Sequence, residues 1–221
     1  MNFNIRSNNK KNEYILDIEQ NKYPVVQLGN QLWIIKNWIC TKYSNGSDIP
    51  EITDINEFGP LCSEAYIKLS KIKPNYADMS DVIYYNKYVD MEKLPPKGWR
   101  VPLLEDYKTL LSYLIDNGYN SDGSTDYNKV STSLSSIFFW KASTTKESPG
   151  DFGHINNKTN MSIIPYGFID GNELKGLNTY AIIYDKSLER PLIISHNSKC
   201  TRFGDMRGSN IGASIRLVKN I

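Results

Sequence analysis

The stretch that most limits how this chain can fold is LPPKGWRVPLLEDYKTLLSYLIDNG, residues 94–118. Pro95 and Pro96 hold the backbone extended, and Gly98 permits a tight turn. Pro102 stands where a helix can begin, because its missing N–H needs no partner there. Glu105 and Asp106 follow in the first turn, on the favourable side of the helix dipole. Tyr107, Leu110, Leu111 and Leu114 recur at i, i+3, i+4 and i+7 and make one apolar helix face. Gly118 then stops the helix as a C′ glycine. Trp99 and Arg100 sit inside this rigid frame, so the pair either staples the fold or meets a ligand.

The rest of the chain is more broken. Residues 1–22 are polar and rich in Asn, and read as a flexible or partner-ordered arm. Residues 23–43 read as a hairpin: an apolar run, a Gly-Asn turn at 29–30, then a second run holding Trp33 and Trp38. Residues 44–58 read as a loop. In residues 60–72, Leu61, Ala65 and Leu69 share a face at helical spacing, which predicts a short helix. DVIYYNKYV at 81–89 predicts a Tyr-rich strand. A polar loop spans 119–136. Beyond it, IFFWKAS, MSIIPYGFID, TYAIIYD, PLIISH and ASIRLV are short apolar segments punctuated by Gly, Asn and Ser, the pattern of an irregular, mostly β half.

At 221 residues the chain is long enough for a proper core. The formal net charge of +2 comes without a dense basic run, so the phosphate-binding surface of a dedicated nucleic-acid protein is missing. Three cysteines, Cys40, Cys62 and Cys200, are too few for a disulfide framework, and a Cys40–Cys62 pair stays open. No apolar leader opens the sequence, and no apolar run is long enough to span a bilayer. No membrane insertion is expected, and the chain is read as staying in the cytoplasm or joining a particle.

In this order, the QLW…KN segment, the YNKY strand, PPKGWRVP before a helix, IPYG and the closing GASIRLVKN resemble the Fibrobacter succinogenes major paralogous domain. The likeness covers residues 23–221. It implies an α+β, C-type-lectin-like domain, related to formylglycine-generating-enzyme-type domains, with one or two helices on small irregular antiparallel sheets. It also implies structural roles. Trp99 would pack under the helix, and Arg100 would reach carbonyls or a carboxylate, with Gly98 and Pro102 framing the pair. Trp33 and Asn37 would belong to the first hairpin. Ile215, Leu217 and Val218 would form the last strand and close the domain.

Little in the sequence points to catalysis. Two distant histidines, His154 and His196, with no cysteine pair at finger spacing, do not make a zinc site. DGSTD at 122–126 offers oxygens but lacks a calcium-loop pattern. No phosphate-binding glycine loop occurs, and no cofactor is expected. Cys200, with His196 four residues away, lacks the second cysteine that formylglycine-generating chemistry would use. The remaining candidate is a binding face at residues 195–210 with two tyrosines upstream: Tyr180, Tyr184, His196, Asn197, Arg202, Phe203, Asp205, Arg207 and Asn210. Amides, aromatics and arginine suit hydrogen bonding and stacking on sugars or proteins. The expectation is a non-enzymatic module, most simply a phage virion component. It would attach to other virion proteins or to itself through residues 1–22 and present the face to a host glycan or protein. Two alternatives stay open: a bacterial surface or secreted binding protein, and a divergent formylglycine-generating-type enzyme.

Overall fold

A computed structural model describes residues 13–75, 82–206 and 210–221. Among the described residues there are three antiparallel sheets and one long helix. The first sheet runs β1 (Tyr14–Leu16), β2 (Lys22–Leu28), β3 (Gln31–Ile34), β12 (Val218–Asn220). The second runs β10 (Arg202–Phe203), β9 (Leu192–Ser195), β8 (Tyr180–Ile183). The third runs β4 (Tyr66–Lys68), β5 (Ile83–Asn86), β11 (Ile211–Ala213), β6 (Phe168–Asp170), β7 (Glu173–Lys175). Short helices α1 (Ile55–Phe58), α2 (Leu69–Ile72) and α4 (Ser131–Leu134) fill connections.

Helix α3 (Leu104–Asp116) forms as its sequence predicts. The Asp106 carboxylate accepts the Leu103 N–H at 2.8 Å and so caps the first turn. Tyr107, Leu110, Leu111 and Leu114 are buried against Leu28, Trp33, Ile183, Ile194 and Val218. Gly118 has φ of 73°. Its N–H donates to Ile115 O and the Tyr119 N–H to Leu114 O, the paired bonds of a Schellman end. The Tyr119 ring packs on Tyr113, the apolar contact that goes with that motif.

The C-terminal segment joins the three sheets. β11 lies in the third sheet, Ser214 bridges to Ile183 of the second, and β12 pairs with β3 of the first. Residues 211–218 are all buried. Between the strands, Ile215 O accepts from the Trp38 N–H and Leu217 O from the Ile34 N–H. The expected closing role of Ile215, Leu217 and Val218 is therefore found, although only Val218 lies in β12 itself.

Three expectations are corrected. Residues 14–16 are a strand paired with β2, so the arm read over 1–22 belongs to the first sheet from Tyr14 onward; residues 1–12 lie outside the described ones. Residues 60–72 are not one helix, because β4 pairs with β5 and only Leu69–Ile72 is helical. The apolar spacing suited both forms, and strand pairing wins. IFFWKAS is not a strand: Trp140 is buried, but Ile137, Phe138 and Phe139 face solvent.

Candidate binding face

The frame of residues 94–118 resolves as scaffold. The Arg100 guanidinium forms a two-pronged ion pair with the buried Asp106 carboxylate and donates to Asn220 Oδ1 at 3.0 Å. Asp106 also accepts from Gln31 Nε2, whose Oε1 takes the Trp33 indole N–H. Arg100 thus links helix start, first hairpin and last strand. Trp99 departs from expectation. It is half-buried on the cluster holding Tyr23, Trp38, Leu94 and Val101, and the tryptophan stacked on the helix is Trp33, 5.6 Å from the Tyr107 ring.

Sequence reasoning missed a second, deeper arginine. Arg216 is 2% exposed. Its Nε donates to Asn37 Oδ1 at 2.9 Å, and its terminal nitrogens reach the carbonyls of Ile34, Met161 and Ser162. Burial pulls the guanidinium down to about 10, which leaves it cationic at neutral pH. Asn37 is therefore an acceptor for a buried cation as well as a hairpin residue. No local signal marked it: alternation puts Arg216 on the face opposite Ile215 and Leu217, which from sequence alone reads as the solvent side.

The residues read as a binding face do not converge on one pocket. Tyr184 is 1% exposed, and its hydroxyl donates to Ile211 O inside the core. It is a core residue just past the end of β8, where its N–H donates to Ser214 O. Tyr180 is half-buried against the first core cluster. Phe203 is half-buried, its ring 6.3 Å from Tyr107. The hairpin of β9 and β10 carries the others. Asn197 is exposed at the tip and accepts from Ser195 Oγ at 2.6 Å. Arg202 and Asp205 are exposed along the second arm, and His196 is half-buried. Asn210 is half-buried, and its carbonyl accepts from the Gly171 N–H. Arg207 lies outside the described residues.

A neighbouring loop, residues 136–158, of which only IFFWKAS reads as an apolar segment in the sequence, carries the two most exposed apolar side chains among the described residues. Ile155 is 79% exposed, Phe152 69%, Phe138 63%, Ile137 58% and Phe139 48%. The loop is tied to the hairpin by the Gly150 N–H, which donates to His196 O at 2.8 Å, and to the turn before β8 by the Lys141 N–H, which donates to Asn178 O at 2.7 Å. Asn156 Nδ2 donates to the carbonyls of Ser136 and Pro149, which holds the loop's two arms side by side. Gly150 has no room for more, since a Cβ there would lie 2.3 Å from Lys141 O.

Other polar clusters satisfy themselves. In the DGSTD loop the buried Lys129 ammonium sits between Asp122 and Asp126, where an added cation would have to go. Hydrogen bonds from Ser124, the Tyr127 N–H and Lys129 hold Asp126 down to about 2, and Lys129 and Ser124 hold Asp122 well below the usual carboxylate range. Asp17, Glu19 and Cys40 place ligand-type atoms within 4.8 Å of one another. There Asp17 already accepts from the Glu19 and Asn21 N–H groups, Asn21 Nδ2 and the Tyr23 hydroxyl, and Glu19 accepts twice from Thr41. Burial pushes the Cys40 thiol up to about 12, away from a reactive thiolate. A cleft of about 280 Å³ beside it is lined by Trp38, Leu94 and Pro96 with Lys42 and Lys97. Cys40, Cys62 and Cys200 are all free. Among the described residues no hydrogen bond joins Cys200 to His196, whose Nδ1 is buried without a partner.

No helix among the described residues is long and apolar enough to cross a membrane. No curated protein and no solved structure matches the chain significantly. The model of the Fibrobacter succinogenes major domain matches residues 26–219, from the first hairpin to the last strand, and the chain belongs to that family.

Proposed function

We propose that this domain is a non-enzymatic binding module of C-type-lectin-like type, a phage virion component that presents its C-terminal hairpin to a glycan or protein of the host surface. The observation that carries the reading is the build of that hairpin. The strand β9 beneath it is wholly buried, while Asn197, Arg202 and Asp205 stand exposed on the tip and second arm. A rigid base with exposed amide, guanidinium and carboxylate groups is suited to hydrogen-bonded recognition at low ordering cost. Cys40 gives no support to a nucleophilic alternative, since burial favours its protonated form.

Mass spectrometry of purified phage-sized particles, beside washed cell envelopes and cytoplasm, tests the virion assignment. The expected outcome is this chain at stoichiometric abundance in the particles. Recovery from envelopes alone would replace the virion with a bacterial surface protein, and recovery from cytoplasm alone would overturn both.

A further inference from the structure

We infer that the loop at residues 136–158 seats the domain on an anionic lipid surface. This goes beyond the proposed hairpin recognition and does not depend on it, because different side chains make the contact. Five large apolar side chains stand at 48–79% exposure within nineteen residues, on two loop arms tied together through Asn156. Phe138 and Phe139 stand ring to ring at 6.2 Å, and large apolar side chains exposed together in this way mark an interaction site.

The loop is held out by a firm base. Trp140, Ser148, Pro149, Gly150 and Asn156 are buried beneath the exposed tips. Phe139 has φ of 71°. An aromatic residue in the left-handed region costs backbone energy that the surrounding bonds must offset. Phe139 holds this conformation with its ring 48% exposed.

Charge identifies the occupant. Every exposed charged side chain between residues 136 and 158 is a lysine: Lys141, Lys146 and Lys158. The two acids are withdrawn, with Asp151 accepting from the Glu147 and Gly153 N–H groups and Glu147 from Ser121 and Lys199. Apolar tips in a loop that also exposes Lys141 and Lys158, with Lys146 3.9 Å from Asp151, match a headgroup layer with anionic phosphates above an acyl boundary. A glycan fits these tips less well, since the phenyl rings could stack on a sugar but the Ile and Phe side chains offer nothing to bond its hydroxyls.

Co-sedimentation of the full chain with vesicles tests the proposal, using phosphatidylglycerol mixed with phosphatidylcholine against phosphatidylcholine alone. The expected result is binding to the anionic vesicles only, weakened by salt. The double variant Phe138→Ser/Phe152→Ser should bind roughly tenfold or more weakly, since each buried phenyl contributes substantially to partitioning. Lys141→Gln/Lys158→Gln should bind roughly 25-fold more weakly, about fivefold per lysine. An unchanged thermal unfolding midpoint shows that each variant is folded. No binding to anionic vesicles at low salt, equal binding to both vesicle types, or binding indifferent to the phenylalanine changes would overturn the proposal. So would a dimer in solution that the same changes dissociate, which would give the patch to a second copy of the chain.

Discussion

Arg216 brings a full charge into the core and meets amide and carbonyl oxygens there rather than a carboxylate. It binds the first hairpin to the segment at residues 161–162 through acceptors that strands alone leave unpaired. Removing it orphans those acceptors, and a buried unsatisfied group costs about 1–3 kcal/mol. Arg216→Leu should therefore lower unfolding free energy by about 3 kcal/mol or more, and Arg216→Lys should recover little, because an ammonium cannot span the same fork. Urea unfolding of the three proteins checks this, and a loss under about 1 kcal/mol for the leucine variant would refute the clamp. The sequence placed Arg100 correctly, because prolines and a helix start surround it. Arg216 lacked such local punctuation, and its partners lie far away in the chain.

At the scale of elements, legibility followed locality. Helix α3 was readable because stripe, cap and stop lie within one stretch, and the 29–30 turn was readable for the same reason. β4 was misread because the pairing of Tyr66 with Tyr85 spans sequence that periodicity cannot see. IFFWKAS was misread because an apolar run does not say whether it faces a core or a partner. The DGSTD loop offers a prediction at this scale. The Asp126 carboxyl is held at about 2, below the ordinary carboxylate value, by bonds that exist only in the folded loop. Its contribution is complete above the ordinary carboxylate value and is lost as pH falls through that value towards about 2. The stability difference between the native chain and Lys129→Gln should be constant from pH 7 to about 5 and shrink below about 4. Chemical denaturation across that range measures it, and a difference that grew on acidification would contradict the assignment.

For the whole molecule, the decisive feature is that residues 211–220 pass through all three sheets, so the ends of the family match are knitted into one body. That construction leaves the β9–β10 hairpin firmly based while Asn197, Arg202 and Asp205 stay exposed on it. Composition and the family resemblance led to the expectation of a binding face at residues 195–210 with two tyrosines upstream. They could not separate Tyr184, which serves the core, from Asn197, Arg202 and Asp205, which face outward. The most direct test is binding of the fluorescently labelled chain to host cells, measured beside the variant Asn197→Ala/Arg202→Ala/Asp205→Ala at matched thermal stability. The account predicts saturable binding by the native chain and at least roughly tenfold weaker binding by the triple variant, since each such charged or amide contact contributes about 0.5–3 kcal/mol. Equal binding by the two proteins would contradict it.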